Sequence, residues 1–375
     1  MVSEDSIRES TGKLLNRVLF RRFGSKTHKA MNPFGFIPNH LSIFVCPHIY
    51  CTNAAGFKPY KEQQRTVGRM KYFAEGAREA AAPLTLDVLR RALTSGEILE
   101  SRALSFDGEK RLHFRFEDAE GIMPYEECAD GVREGTVRDI ALITRVGRPV
   151  CFTVTGIEED AEKPVAYLSR TRAQIRCREE YLDRLRPGDI LPCRVTHLER
   201  FGAFCDVGCG IPALLPIDCM SVSRIQSPAD RVREGQEILC VVKNRDEQGR
   251  IVLTMKELLG TWEENVAAFA PGETVVGIVR SMEPYGVFIE LRPNLAGLAE
   301  VCEGISSGQL VSVYIKSILP EKMKIKLVVL HAVEGERFMF PLEYAPREGH
   351  IDSWRYSVPG AARVIETVFD DFETL

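Results

Sequence analysis

Two four-residue blocks, Phe201-Gly202-Ala203-Phe204 and Tyr285-Gly286-Val287-Phe288, stand 84 positions apart. Gly188 and Gly272, Val195 and Val279, and Leu214 and Leu298 keep that same offset of 84. A constant offset held over a whole segment marks an internal duplication. Each block sets an aromatic, a glycine and a second aromatic two residues past the glycine. Side chains alternate along a strand with period two, so the pattern predicts both rings on one exposed strand face.

The duplicated segment reads as five short strands. In the first copy these are Ile190 to His197, Phe201 to Val207, Ile211 to Ile217, Glu237 to Val242 and Arg250 to Thr254, with turns at Gly208-Cys209-Gly210 and Asp246-Glu247-Gln248-Gly249. In the second copy they are Thr274 to Arg280, Tyr285 to Leu291, Leu295 to Glu300, Leu310 to Ile318 and Lys324 to Val328. Arg250 aligns with Lys324 at an offset of 74, so the connection between third and fourth strands is ten residues shorter there. Short strands with one longer excursion predict a closed OB-type barrel, because closure removes sheet edges. A weaker copy lies upstream: Gly96-Glu97-Ile98-Leu99 and Ile122-Met123-Pro124 match the middle copy at an offset of 92, and Val165 to Ser169 closes it. Phe114 and Phe116 sit there without the glycine.

The expected architecture is mainly β, with tandem five-stranded barrels joined by short helices. Its divisions are a basic segment 1–69, a helix plus degenerate barrel 70–175, barrels 187–257 and 271–330, and an extension 331–375. The helix is expected in the run ending at Leu93. The joints Arg172 to Leu185 and Met255 to Ala270 each end at a proline-glycine pair, and Trp262 reads as packing between barrels. Ala361 to Phe372 reads as a closing helix, with the extension packed on the last barrel. Residues 1–72 hold 12 Lys and Arg against 4 acids, in a chain whose net charge is -4. The first 69 residues read as a disordered arm, a targeting peptide, or sequence upstream of a true start at Met70.

Several function classes find no support. No Ser/His/Asp order, paired carboxylates or phosphate-cradling glycine loop appears, so no enzyme is expected. Cys46-Pro47-His48-Ile49-Tyr50-Cys51 has metal-capable atoms, but no second cluster completes a four-ligand site. No cofactor, metal or small-molecule substrate is expected. Leu41 to Cys51, the longest apolar run, is too short to span a bilayer. The eleven cysteines contain no CxxC pair and are expected as reduced thiols of a cytoplasmic protein.

Gly188-Asp189-Ile190, Phe201-Gly202-Ala203-Phe204, Ala213-Leu214-Leu215-Pro216 and Asp246-x-x-Gly249-Arg250-Ile251-x-Leu253 resemble the S1 RNA-binding domain, an OB-fold module. The resemblance covers about residues 95–330. The whole is similar to a short, three-repeat relative of the bacterial small-subunit ribosomal protein of that family. It implies binding of single-stranded RNA, chiefly messenger, by the later repeats, and contact of the degenerate repeat with the small ribosomal subunit. Family RNA contacts fall on Phe201, Phe204, Pro216, Asp246 and Arg250, and on Tyr285, Phe288 and Lys324 in the last repeat, where Pro320 replaces the Asp. The third-strand position, often histidine in the family, is Pro216 in one copy and Glu300 in the other.

The residues support that reading independently. Bases stack on exposed rings at roughly 1–3 kcal/mol each. Lys243 and Arg250, and Lys322, Lys324 and Lys326 in the last copy, would meet phosphates. Two other readings remain: a protein-interaction scaffold whose barrels have lost RNA, and an adapter in RNA turnover.

Overall fold

In the computed structural model the described residues are 72–77, 83–160, 162–335 and 338–370, all within the compact unit Val67–Leu375. The basic segment 1–69, Met70 and the Cys46 to Cys51 cluster lie outside them. Two of the expected barrels, the middle and the last, are closed, whereas the degenerate unit forms a six-stranded sheet. The first β unit follows helix α1 (Leu86–Ser95), which Thr85 caps by accepting from the Val88 N–H and Gly96 ends in a left-handed turn. Pro83 stands just before it, and residues 72–77 form a turn rather than the expected helix. Strands β1 (Leu99–Arg102), β2 (Ser105–Phe106), β3 (Leu112–Arg115) and β4 (Glu120–Met123) lead to helix α2 (Asp139–Ile143). Strands β5 (Pro149–Glu158) and β6 (Val165–Ser169) complete a sheet ordered β1-β5-β6-β4-β3-β2.

After helix α3 (Arg170–Glu180), strands β7 (Ile190–Glu199), β8 (Gly202–Asp206), β9 (Pro212–Pro216), β10 (Glu237–Arg245) and β11 (Ile251–Thr254) close the middle barrel. Helix α4 (Trp262–Val266) follows, started by a capping box between Thr261 and Glu264. The last barrel closes through β12 (Thr274–Glu283), β13 (Gly286–Arg292), β14 (Leu295–Ala299), β15 (Leu310–Leu319) and β16 (Lys324–Ala332). In both, a parallel third-to-fifth strand contact closes the circle, Leu214 with Val252 and Leu298 with Lys326.

The three units share one irregularity. The first strand of the middle barrel shifts register after Val195, and that of the last after Val279. At the equivalent point the degenerate unit breaks its first strand into β1 and β2 at Ala103 and Leu104. Each site makes the same two backbone bonds. Ala103, Val195 and Val279 donate N–H to Arg148, Gln236 and Gln309, and accept from Gly147, Gly235 and Gly308. A bulge sharpens strand curvature, and the degenerate copy bends so far there that its strand splits.

Two buried ionic clusters join the units. Between the first and middle units, Arg170 of α3 grips Glu75 with Nε 2.7 Å from Oε1 and Nη2 3.0 Å from Oε2. The Glu75 N–H donates to Asp206 of β8 at 2.7 Å. The Asp206 carboxylate also accepts from the N–H groups of Gly208 and Gly210. Between the middle and last barrels, Glu290 of β13 is fully buried and takes Arg231 at 2.5 Å on one oxygen and Arg280 at 2.5 Å on the other. Arg231 lies in the β9–β10 connection, whose ten extra residues thereby acquire a role. Removing one partner of such a buried pair costs about 3–5 kcal/mol, because the other charge is left stranded.

The C-terminal residues correct two expectations. Residues 361–370 contain no helix, since Glu366–Val368 forms strand β18 paired with β17 (Ser353–Arg355). The extension also returns to the middle barrel rather than resting on the last one alone. Ile190 donates N–H to Gly349, Ile351 to Gly188 and Ala345 to Leu258, while Leu342 and Tyr344 pack on the middle core. Trp262 is buried, and its backbone N–H donates to the Tyr356 carbonyl.

Burial, and then the neighbouring Glu75 carboxylate, push Asp206 up to about 7 from 3.8. The folded chain therefore holds this proton more tightly than the unfolded chain, and the contribution to stability is lost as pH rises toward and through about 7. Thermal unfolding followed between about pH 5 and 8 should show a falling midpoint that Asp206→Asn flattens. An unchanged slope in the variant would exclude Asp206 as its source.

Candidate nucleic-acid interface

The aromatic blocks sit at the hairpins between the first two strands of the middle and last barrels. Strand β8 starts at Gly202, so Phe201 belongs to the turn before it. The rings come together three residues apart because the turn swings Phe201 over the strand, not because alternation aligns them. Phe201 and Phe204 meet edge to face at 6.1 Å and 89°, and Tyr285 and Phe288 at 6.2 Å and 88°. Such pairs contribute about 0.5–1.5 kcal/mol beyond buried area and hold each other's orientation. Phe201 is 54% and Tyr285 69% exposed, whereas Phe204 and Phe288 are half-buried.

The glycines let the third strand pass close beneath each ring hairpin. A Cβ on Gly202 would lie 2.5 Å from the Leu215 carbonyl oxygen, and one on Gly286 would lie 2.6 Å from that of Ala299. The third strand thus lies directly on the glycine backbone. Interior positions are filled instead by Val195, Ala203, Cys205, Leu215 and Leu253 in the middle barrel, and by Val279, Val287, Ile289 and Leu327 in the last. In the degenerate unit Phe114 and Phe116 are buried against Phe152, so no outward platform forms there.

Strand register fixes what else shares the ring face. Phe204 pairs with His197 on β7 and Leu214 on β9, and Leu214 pairs with Val252 on β11. In the last barrel Phe288 pairs with Ser281 and Leu298, and Leu298 with Lys326. The two rows are equivalent, but one ends in valine and the other in lysine. Lys324 and Lys326 lie on the same exposed face of β16, and Lys322 is exposed in the turn before it. The last barrel therefore joins rings and cations in a single band.

The middle barrel arranges its charges differently. Asp246 is committed to its turn, accepting from the N–H groups of Gln248 and Arg250 and from Arg250 Nε at 2.7 Å. Arg250 remains exposed, whereas Lys243 is half-buried with Nζ 3.2 Å from Cys219 Sγ. Pro216 pairs with Gly202 behind the rings, and Glu300 is exposed just beyond β14.

Sequence reasoning missed His197. Its ring stacks on Phe204 at 6.2 Å and 30°, with Nε2 2.9 Å from Glu199. It supplies an imidazole to the same face from the first strand, where the third strand carries Pro216. The signal lay in β7 itself, but placing His197 opposite Phe204 required the one-residue shift after Val195.

With this geometry in place, comparison with known families is decisive for one segment. Residues 184–256 match the S1 RNA binding domain. That span is the middle barrel, and the last barrel repeats its strand order. The chain is 31% identical over 210 residues to the small ribosomal subunit protein bS1 homolog of Bacillus subtilis, covering 53% of this chain and 54% of that one. It is 28% identical over 172 residues to the small ribosomal subunit protein bS1 of Staphylococcus saprophyticus, covering 42% and 44%. The chain thus spans about half the length of the curated relatives it matches. No helix among the described residues is long and apolar enough to cross a membrane.

Gly202→Ala should lose about 1–3 kcal/mol in urea unfolding, because the third strand must retreat from the new methyl group. Gly108→Ala, with nothing within 4 Å of its Cβ, should stay within about 0.5 kcal/mol of the parent. Equal losses would show that strand contact at Gly202 is not what demands glycine.

Proposed function

We propose that the chain is a non-catalytic protein that binds single-stranded RNA on the outer walls of its middle and last barrels. The observation that carries this reading is the shared row in the last barrel, where exposed rings and Lys326 lie on one face. Rings on a curved sheet next to cations suit unpaired bases followed by phosphates. Duplex would keep its bases stacked on each other and offer the rings nothing. Stacking is indifferent to base identity, so sequence preference is expected to be weak.

In the middle barrel Phe201, Phe204 and His197 take bases, and Arg250 meets the backbone. Asp246 acts at one remove, by holding Arg250 and the turn. In the last barrel Tyr285 and Phe288 take bases, and Lys322, Lys324 and Lys326 meet phosphates. Lys243 is a weaker candidate than its sequence position suggests, given its contact with Cys219. The relatives' names, small ribosomal subunit proteins, support the small subunit as a partner, and messenger RNA in the cytoplasm is the ligand and setting that fit such a partner. The degenerate unit, whose rings face inward, suits contact with protein.

Filter binding to oligouridylate across a salt series tests this. Affinity should fall with a log–log slope of about 0.7 per phosphate neutralised. The Phe201→Ala, Tyr285→Ala double variant should bind at least about tenfold more weakly, from roughly 1–3 kcal/mol per lost stack. Parent-like binding by a folded double variant would reject the assigned face.

A further inference from the structure

The β9–β10 connection, residues 217–236, touches both ring hairpins. At its start Ile217 donates its N–H to the Phe201 carbonyl. Near its end Glu234 accepts from the Leu198 N–H and lies 3.7 Å from His197 Nδ1. Its middle crosses to the last barrel. Gln226 donates from Nε2 to the Arg280 carbonyl at 3.1 Å, and Arg224 Nη1 stands 3.9 Å from Glu283. Glu283 pairs with Gly286, so Arg224 is beside the hairpin that carries Tyr285.

The crossing is anchored from below. Arg231 from the connection and Arg280 from β12 share the fully buried Glu290. Asn294 in the β13–β14 turn accepts from the Val222 N–H and Ser221 Oγ and donates to the Lys256 carbonyl. A connection that merely closed its own barrel would need none of these partners. The last barrel, with ten fewer residues there, closes without them.

From this we infer that residues 217–236 bridge the two ring pairs into one track for a single RNA strand, with Arg224 meeting phosphate between them. The inference rests on the RNA-binding reading and adds a coupling that two independent barrels would lack. The Arg224 side chain is 82% exposed on the crossing, and Arg200 and Arg233 are exposed on the middle-barrel side of it. Arg231, Arg280 and Glu290 are positioning residues. They touch no ligand but fix the separation of the platforms, so binding at the second costs no new translational freedom.

Fluorescence anisotropy with labelled oligouridylates from about 6 to about 30 nucleotides tests it, since one OB fold covers roughly 4–16 nucleotides. The parent should show a step of at least about tenfold in affinity beyond the length that reaches both platforms. The charge-balanced Arg231→Met, Glu290→Met variant should bind the shortest oligomer as the parent does and lose most of the step. Circular dichroism confirms that its barrels persist. Should that variant unfold, Arg224→Glu, which alters only an exposed side chain, should lower affinity for the long oligomer by about threefold or more beyond its effect on the short one. A smooth rise with length in the parent, without a step, overturns the bridge while leaving RNA binding intact. A full step retained by folded variants also overturns it. No binding at any length instead removes the RNA-binding reading itself.

Discussion

The third strand of each competent barrel lies against a glycine backbone, and the exposed chemistry follows from that contact. With the Leu215 and Ala299 carbonyls within 2.6 Å of where a Cβ would stand, these positions admit no side chain. The interior is already filled by aliphatic groups and small thiols, so the flanking aromatics are left on the outer wall. Their edge-to-face packing then holds the rings in place while leaving Phe201 and Tyr285 accessible. In the degenerate unit Phe114 pairs with Gly121 and so takes the inward position that Cys205, paired with Ala213, holds in the middle barrel, while His113 stands at the position of Phe204.

Charge organises the chain at a larger scale. Asp206 with Glu75 and Arg170, and Glu290 with Arg231 and Arg280, place carboxylates and guanidinium groups where hydrophobic packing would otherwise join the units. Buried pairs of this kind add little net stability compared with apolar packing, but they punish misalignment strongly. They suit a chain that must hold repeated barrels in a defined relation. The modest net charge of -4 hides this arrangement, since many charges are spent on internal partners and others are concentrated beside the rings.

Much of this was legible in the sequence because repetition reports register. The offset of 84 anticipates the observed pairings, since Leu214 opposes Phe204 as Leu298 opposes Phe288. The offset of 92 even marks where the degenerate unit's first strand breaks, opposite the two bulges. Other features were not readable. His197 faces Phe204 only because of a bulge, and a one-residue shift changes the face of every side chain beyond it. The partners of Glu75 and Glu290 lie between 10 and 131 residues away, and composition gives no hint of which charges will meet. The C-terminal segment forms a strand pair because it folds back on the middle barrel, a tertiary context that overrides local pattern.

Photochemical cross-linking of single-stranded RNA to the whole chain, with the adducts located by mass spectrometry, addresses the central claim most directly. Adducts should concentrate at Phe201, Phe204, Tyr285 and Phe288, with neighbouring peptides from β7 and β16. Adducts confined to the degenerate unit or the C-terminal residues, with these four rings unmodified, would contradict it.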